Sequence, residues 1–353
     1  MSEVLPVILL GGSGYVAGEL PRLIAKHPRL TLAGAVSNSH HGKPIVSAFG
    51  HLATAYPTEQ FISMQQAIDG LAKSPHWIVL SAAPHGASAN LIDQLLNTAE
   101  HIGLQMTVVD ASADFRYSSA TRFAEVYGQK HSTPGRLASF SCAVPEHLSD
   151  LKTPHAAQPG CFATAILLAV VPLLSLELAQ PEFFVSAITG STGAGRTPRD
   201  TTHHPMRQNN LFAYQPLRHR HHPEICELTE ACTGQDIMLH FVPQSGPFAR
   251  GIHATVFAQC AGGVAESEAV DAFKKFYADS SFVHISSSPP RLKDIVGTNN
   301  AMLSVSTDKN SIAVCCVLDN LVKGAAGGAI QWVNRLAGWP DSEGLLIAPA
   351  GWA

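Results

Sequence analysis

Residues 4–10, VLPVILL, form a near-continuous apolar run, the pattern of a parallel strand buried on both faces. A glycine-rich loop follows, then a periodic stretch that predicts a helix ending before His27-Pro28. Pro21 falls in the middle of that helix and predicts a kink or an early end there. Leu30–Val36, Trp77–Leu80 and Met106–Asp110 read as further strands, with a helix over Ala87–Asn97. This strand-helix rhythm predicts an α/β fold, a Rossmann-type doubly wound parallel sheet spanning residues 1–157.

The rhythm changes after residue 157. A helix over Cys161–Ser175 precedes strands near Phe184–Thr189, Ile237–Val242 and Ile252–Cys260. A helix over Glu266–Tyr277 and a strand over Ser311–Leu318 complete the pattern. Few connections resemble βαβ crossovers, so residues 158–319 predict an α+β domain with a mainly antiparallel sheet. From Asn320, LVKGAAGGAIQWVNRLAG reads as a helix, and 320–353 is expected to return to the first domain and complete it.

Composition agrees with this size. The 353 residues exceed one ordinary core, and 46% hydrophobic against 14% charged residues can cover a sheet on both faces. The formal net charge is −4 with no basic stripe, since Arg218–His222 is mostly histidine; nucleic acid is not an expected partner. MSEVLPVILL lacks a basic n-region and a cleavage site, so no signal peptide is expected, and Ala165–Leu174 is too short to span a bilayer. Neither a membrane nor secretion is therefore expected. The seven cysteines lack scaffold or CxxC spacing, which points to the reducing cytoplasm. Cys315 and Cys316 adjoin on a strand, face opposite sides, and read as packing residues.

Several features carry chemistry. Gly12-Ser-Gly14-Tyr-Val-Ala17 matches G-x-G-x-x-A between a strand and a helix, where free N–H groups suit a pyrophosphate. At the end of the second strand, where NAD binders place a carboxylate, the chain reads Ser37-Asn-Ser39-His-His-Gly-Lys43, which favours the 2′-phosphate of NADP. Pro159-Gly160-Cys161 puts a thiol at a helix start, where the dipole stabilises thiolate. Free cysteines are more often buried packing residues, and the thiol gains chemical meaning only beside a proton-transfer group. Arg218-His219-Arg220-His221-His222-Pro223-Glu224, just before an expected helix, supplies one, with Glu224 placed to fix the tautomer of a neighbouring histidine. No cysteine or carboxylate spacing completes a metal-ligand set, so no metal is expected. Arg116, Arg196 and Arg250 lie near turns or strand ends and suit an anionic substrate. A second glycine-rich loop, Gly190–Gly195, stands ready to bring backbone near a cofactor.

Taken together, GGSGYVAGEL, SNS, SAAPHGAS, DASADFR, QPGCFAT, GSTGAGR, HRHHPEI, ARGIHATVF and DNLVKGAAGGAIQ occur in the order found in N-acetyl-γ-glutamyl-phosphate reductases, which the chain resembles over nearly its whole length. These are relatives of aspartate-semialdehyde dehydrogenases. The resemblance implies Cys161 as nucleophile and His219 as general acid/base, supported by Glu224. It implies Arg116, Arg250 and Ser191 at the substrate, and Gly11, Ser13, Gly14, Tyr15, Ser37, Ser39, Pro84, Gly193 and Asn320 at NADP. It further implies an acyl-phosphate small-molecule substrate, a dimerisation role for 158–319, and a homodimer or homotetramer. Val16, Ala17, Gln158, Phe162 and His222 depart from the residues usual in that family.

The reaction so implied is reduction of N-acetyl-γ-glutamyl phosphate to the semialdehyde through a cysteine thioester, in arginine biosynthesis. Three other readings stand beside it. One is a reductase for carrier-linked aminoadipyl phosphate in lysine synthesis, another an aspartate-semialdehyde dehydrogenase, and the third a non-enzymatic NADP sensor. For His219 to serve as both acid and base, a pKa near the working pH is expected.

Overall fold

The structure, a computed structural model, describes residues 4–351; residues 1–3 and 352–353, the extreme ends of the expected first domain, lie outside it. The described residues form two compact units. The first comprises the chain up to Cys142, Asp150–Gln158 and Ala326–Leu346, and the second Ala143–Ser149, Pro159–Ala325 and the residues from Ile347.

In the first unit, the strands are β1 (Leu5–Leu10), β2 (Leu30–Val36), β3 (Phe61–Ile62), β4 (His76–Ser81), β5 (Gln105–Asp110), β6 (Phe140–Cys142) and β7 (His155–Ala157). They make one parallel sheet in the order β3-β2-β1-β4-β5-β7-β6. Val7, Leu9, Ile78, Val79 and Val108 on its central strands are fully buried, as the unbroken apolar runs require. The order reverses beside β1, and the loops leaving the carboxyl ends of β1 and β4 flank that switch point, where open α/β sheets bind ligands. The first helix, Tyr15–Ile24, runs through Pro21 rather than ending at it. Pro21 stands in its last turn, so little helix remains for the missing N–H to disturb.

The second unit holds β8 (Ala179–Thr189), β9 (Phe212–Ala213), β10 (Met238–Ser245), β11 (Ile252–Cys260), β12 (Val283–Ile285), β13 (Ala301–Thr307) and β14 (Ser311–Leu318). Their order is β12-β13-β14-β11-β8-β10-β9, with β8/β10 and β12/β13 parallel and the other pairs antiparallel. The helix Cys161–Ser175 packs on the central strands β8, β11 and β14. Every residue from Phe162 to Leu174 is buried, and each large apolar side chain so enclosed contributes about 1.5–3 kcal/mol. That burial holds the helix in place without a capping side chain. The opposite face of the sheet is open, with Phe184 of β8 and Phe257 of β11 directly paired and 50% and 44% exposed.

Two sequence expectations change. The segment from Asn320 is not one helix: a π-helical turn, Val322–Ala326, belongs to the second unit as far as Ala325, and the α-helix Gly327–Leu336 belongs to the first. The helix expected after Glu224 begins earlier, at His221, so Glu224 lies in its first turn.

Candidate active site

In the first unit, the loop after β1 is shaped by close backbone approach. Gly11 has φ +75°, and a Cβ there would stand 2.4 Å from Cα of Ala83 on the β4 side. Only glycine fits both demands. A Cβ at Gly14 would meet nothing within 4 Å, so the helix start at Tyr15 faces open space. No side chain caps that helix and no acidic residue occupies its first turn, among the described residues. An uncapped helix start of this kind suits an anion. At the end of β2, the Ser37 and Ser39 hydroxyls lie 3.5 Å apart and Ser39 Oγ is 2.9 Å from His40 Nδ1. Hydroxyls and imidazole without a carboxylate suit a phosphate, and together with the uncapped helix they fit a phosphorylated dinucleotide. Pro84 lies in the loop after β4, its carbonyl accepting the Ala87 N–H at 3.0 Å.

The loop after β5 carries Arg116, which is buried; its Nε donates to Gln158 O at 3.1 Å and its Nη2 to Ala111 O at 3.3 Å. Beside it, Asp110 accepts from Ser88 Oγ and from both N and Oγ of Ser112. Burial, with Asp114 nearby, pushes the Asp110 carboxyl up to about 6. Asp114 in turn receives the N–H groups of Gly86 and Ala89, at the start of helix Ser88–Ile102. DASADFR is thus a polar lattice that fixes the arginine and the helix start together.

In the second unit, Cys161 is the first residue of its helix and Gly160 the extended residue before it. The Gly160 N–H donates to Glu224 Oε1 at 2.7 Å. The His221 ring lies flat on Gly160, where a Cβ would come 2.4 Å from Nε2, and Gly324 presses on Cys161 from the π turn. His219 is buried among Phe162, Phe241, Tyr214 and His221, with ring centroids 5.5, 5.5, 5.7 and 4.7 Å away. The His219 Nδ1 accepts the backbone N–H of His221 at 3.1 Å, so the neutral ring carries its proton on Nε2. Burial, reinforced by Arg220, lowers His219 to about 4.

Both observations alter the sequence reading. The tautomer of His219 is set by a backbone N–H, while Glu224 holds the turn in front of the thiol. The His219 pKa is lowered rather than held near neutrality, because burial disfavours the charged ring and Arg220 adds to this.

Arg250 pairs through Nε and Nη2, each 3.0 Å from Oδ2, with Asp319, which is fully buried and also takes the N–H groups of Gly297, Leu321 and Val322. Asn320 accepts the Gly251 N–H at 2.7 Å and donates to Thr192 Oγ1 at 3.0 Å, tying the Gly190–Gly195 loop down. Ser191 N donates to Phe248 O within that lattice, and Gly193 N to Gly190 O. Arg196, the third arginine of the sequence reading, follows this loop and is exposed. Tyr214 carried no sequence signal of its own; Asp319 and the π turn fall inside DNLVKGAAGGAIQ, but their packing could not be read from it. Among the described residues, no group of three His, Cys, Asp or Glu side chains is placed to hold a metal ion, and no helix is long and apolar enough to cross a membrane.

A parallel dinucleotide-type sheet followed by a mixed sheet whose packed helix opens on a thiol defines a semialdehyde dehydrogenase architecture. The chain matches the semialdehyde dehydrogenase NAD binding domain over residues 6–159 and its dimerisation domain over residues 161–320. An aspartate semialdehyde dehydrogenase II of Vibrio cholerae has the same fold, with a TM-score of 0.70 at 16% identity, over 96% of this chain and 99% of that one. An N-acetyl-γ-glutamyl-phosphate reductase of Rhodopirellula baltica is 34% identical over 98% of this chain and 99% of its own. One from Rhodospirillum rubrum is 33% identical over 99% of each chain. A protein of Aeropyrum pernix named for LysW-linked 2-aminoadipate and glutamate phosphate reduction is 32% identical, again over 99% of each. This chain belongs to the N-acetyl-γ-glutamyl-phosphate reductase family of oxidoreductases.

Proposed function

We propose that the chain reduces N-acetyl-γ-glutamyl phosphate to N-acetyl-L-glutamate 5-semialdehyde and phosphate, using NADPH, in arginine biosynthesis. The observation that carries this reading is a half-buried thiol at a helix start whose next residue, Phe162, packs its ring on an enclosed histidine with its proton on Nε2. Its near full-length relatives bear that reductase name.

Cys161, as thiolate favoured by the helix N-terminus, attacks the acyl carbon; the bond to phosphate breaks and a thioester remains. NADPH, when bound, supplies the hydride that reduces the thioester. His219 donates a hydrogen bond from Nε2 to the oxyanion of each tetrahedral species, and collapse of the second expels the Cys161 thiolate and the aldehyde. A neutral imidazole suffices, because the alkoxide needs stabilising rather than full protonation. Glu224 holds the Gly160 turn so that the thiol keeps its direction. Arg116 in the first unit and Arg250 and Ser191 in the second are the groups for the substrate's anionic ends, each arginine oriented by its own hydrogen bonds. Gly11, Ser13, Gly14 and Tyr15 receive the pyrophosphate, Ser37 and Ser39 the 2′-phosphate and Asn320 the nicotinamide, with Pro84 and Gly193 as further cofactor contacts.

The chain assembles as a homodimer through the open face of its second sheet, where Phe184 and Phe257 form an apolar patch with Met238 nearby. Its seven cysteines, none in a disulfide among the described residues, suit the reducing cytoplasm.

The deciding experiment is turnover in the oxidative direction with NADP and phosphate, comparing the semialdehydes of N-acetylglutamate, N-succinylglutamate, aspartate and carrier-linked aminoadipate. Activity on the first alone is expected. Preference for the carrier-linked substrate, which the Aeropyrum pernix relative makes the second reading, would replace it. Cofactor binding without turnover on any of them would point to a sensor.

A further inference from the structure

Lys323 and Glu146 form an ion pair with Nζ and Oε1 2.6 Å apart and side chains 1% and 2% exposed. Enclosing two charges is a poor route to stability, since matched apolar residues often do as well or better; what such a pair can supply is a fixed register. Its surroundings show which register is at stake. Lys323 lies in the π turn Val322–Ala326, a geometry less favourable than an α-helix and concentrated at functional sites. The Gly324 N–H reaches back to Asp319 O at 3.0 Å. A Cβ on Gly324 would stand 2.6 Å from Cβ and 3.0 Å from Cα of Cys161, so the turn lies directly against the thiol-bearing residue.

The other partner is anchored to the same helix. Glu146 occupies the short turn Pro145–His147, and His147 Nε2 is 2.9 Å from Tyr277 Oη. Tyr277 donates its hydrogen to Leu168 O at 2.8 Å, within the Cys161 helix, so His147 donates to Tyr277. Burial lowers His147 to about 4, which keeps it neutral and in that role. The contacts close a loop from Cys161 along its helix to Leu168, through Tyr277, His147 and Glu146 to Lys323, and by Gly324 back to Cys161.

We propose that the Lys323–Glu146 ion pair is a positioning device for the reaction: it clamps the π turn against Cys161 and so fixes the direction of the thiol. The proposal rests on Cys161 being the nucleophile. Neither charge touches substrate or cofactor in this role.

The test uses the full-length enzyme and two variants. Lys323→Met with Glu146→Leu removes both charges at similar volume and leaves neither uncompensated. Glu146→Asp keeps the charge and shortens its reach. Thermal midpoint, kcat, KM for NADPH, and the rate of Cys161 alkylation by iodoacetamide across pH are measured for each. The double variant is expected to melt within a few degrees of the parent, with kcat and alkylation rate both down about tenfold or more and KM for NADPH unchanged. Glu146→Asp is expected to lose several-fold in both rates. Parental kcat and alkylation profile in either folded variant overturns the proposal; if the double variant does not fold, Glu146→Asp decides alone. Failure of the nucleophile assignment looks different, because the parent alkylated at Cys161 would then still turn over.

Discussion

The backbone N–H of Gly160 donates to Oε1 of Glu224 at 2.7 Å, joining residues 64 positions apart at the point where the chain turns into Cys161. A charge-assisted bond to a buried carboxylate is worth about 1.5–3 kcal/mol, and without it Gly160 carries an unsatisfied donor. Glu224→Ala is expected to lower kcat by roughly 10- to 100-fold, because a displaced thiol misses its attack geometry. Glu224→Gln keeps an acceptor at the same reach and should lose much less. NADPH affinity, read by fluorescence titration, should be unchanged in both. Equal kcat losses in the two variants would show that the charge acts otherwise than through this bond.

Cys161→Ser removes the group that carries the acyl chain and should cut turnover by roughly 10⁴-fold or more while sparing NADPH binding. Incubation of the parent with acyl phosphate and no cofactor should add the acyl mass to the peptide containing Cys161. A serine variant with near-parental turnover would remove the nucleophile from this residue.

His219 is predicted to be neutral throughout the working range, with its midpoint near 4 as burial among aromatic rings dictates. NMR of selectively labelled histidine, assigned with a His219→Asn variant, reads that midpoint directly. A ring in the Nε2–H form also gives a characteristic nitrogen shift pattern, matching acceptance of the His221 N–H by Nδ1. A midpoint at 6 or above would return the residue to ordinary acid/base exchange.

The two loop glycines should separate folding from binding. Gly11→Ala places a Cβ 2.4 Å from Ala83 Cα in a left-handed backbone conformation, and the thermal midpoint should fall by several degrees. Gly14→Ala meets nothing in the protein, so stability should hold while the KM for NADPH rises severalfold. Unchanged KM in Gly14→Ala would mean that the pyrophosphate lies elsewhere.

Legibility in the sequence followed length and period. β2, β11 and β14 and the helix Cys161–Ser175 are found at the residues that apolar patterning predicts, because each buries a long continuous face. β3, β6, β7, β9 and β12 are two or three residues long and leave no period to read, and in β13 three polar residues interrupt it. Cys161, His219 and Glu224 stand out in the sequence as separate segments, but the bonds each makes could not be read there. They depend on which N–H meets which acceptor once two distant turns meet. The departure at Phe162 also becomes intelligible: its ring is buried edge-on against His219, His221 and Phe241, and a hydroxyl added there would need its own partner. At His222, Nε2 reaches Leu239 O at 2.9 Å, a span too long for threonine.

Acid should weaken the fold, and the second unit most. His147 and His219 there, like His155 in the first unit, are held at about 4 by burial. Unfolded chains take up those protons near 6.5, so between 6.5 and 4 the unfolded state binds protons that the folded state refuses. Their contribution is complete above 6.5 and is lost as the pH falls toward 4. Asp110 in the first unit acts in the opposite sense: raised to about 6, it stays protonated in the folded state where the unfolded carboxyl has ionised. Acidification through the same window therefore relieves a penalty in that unit and offsets its histidine, while the second unit has two such histidines. Calorimetry from pH 7 to pH 4 should show a falling midpoint, with any resolved transition of residues 159–325 falling further. Asp110→Asn removes the offset and should steepen the acid dependence of the first unit. A midpoint that stays level to pH 4 would mean that these histidines titrate in the folded protein as they do in water.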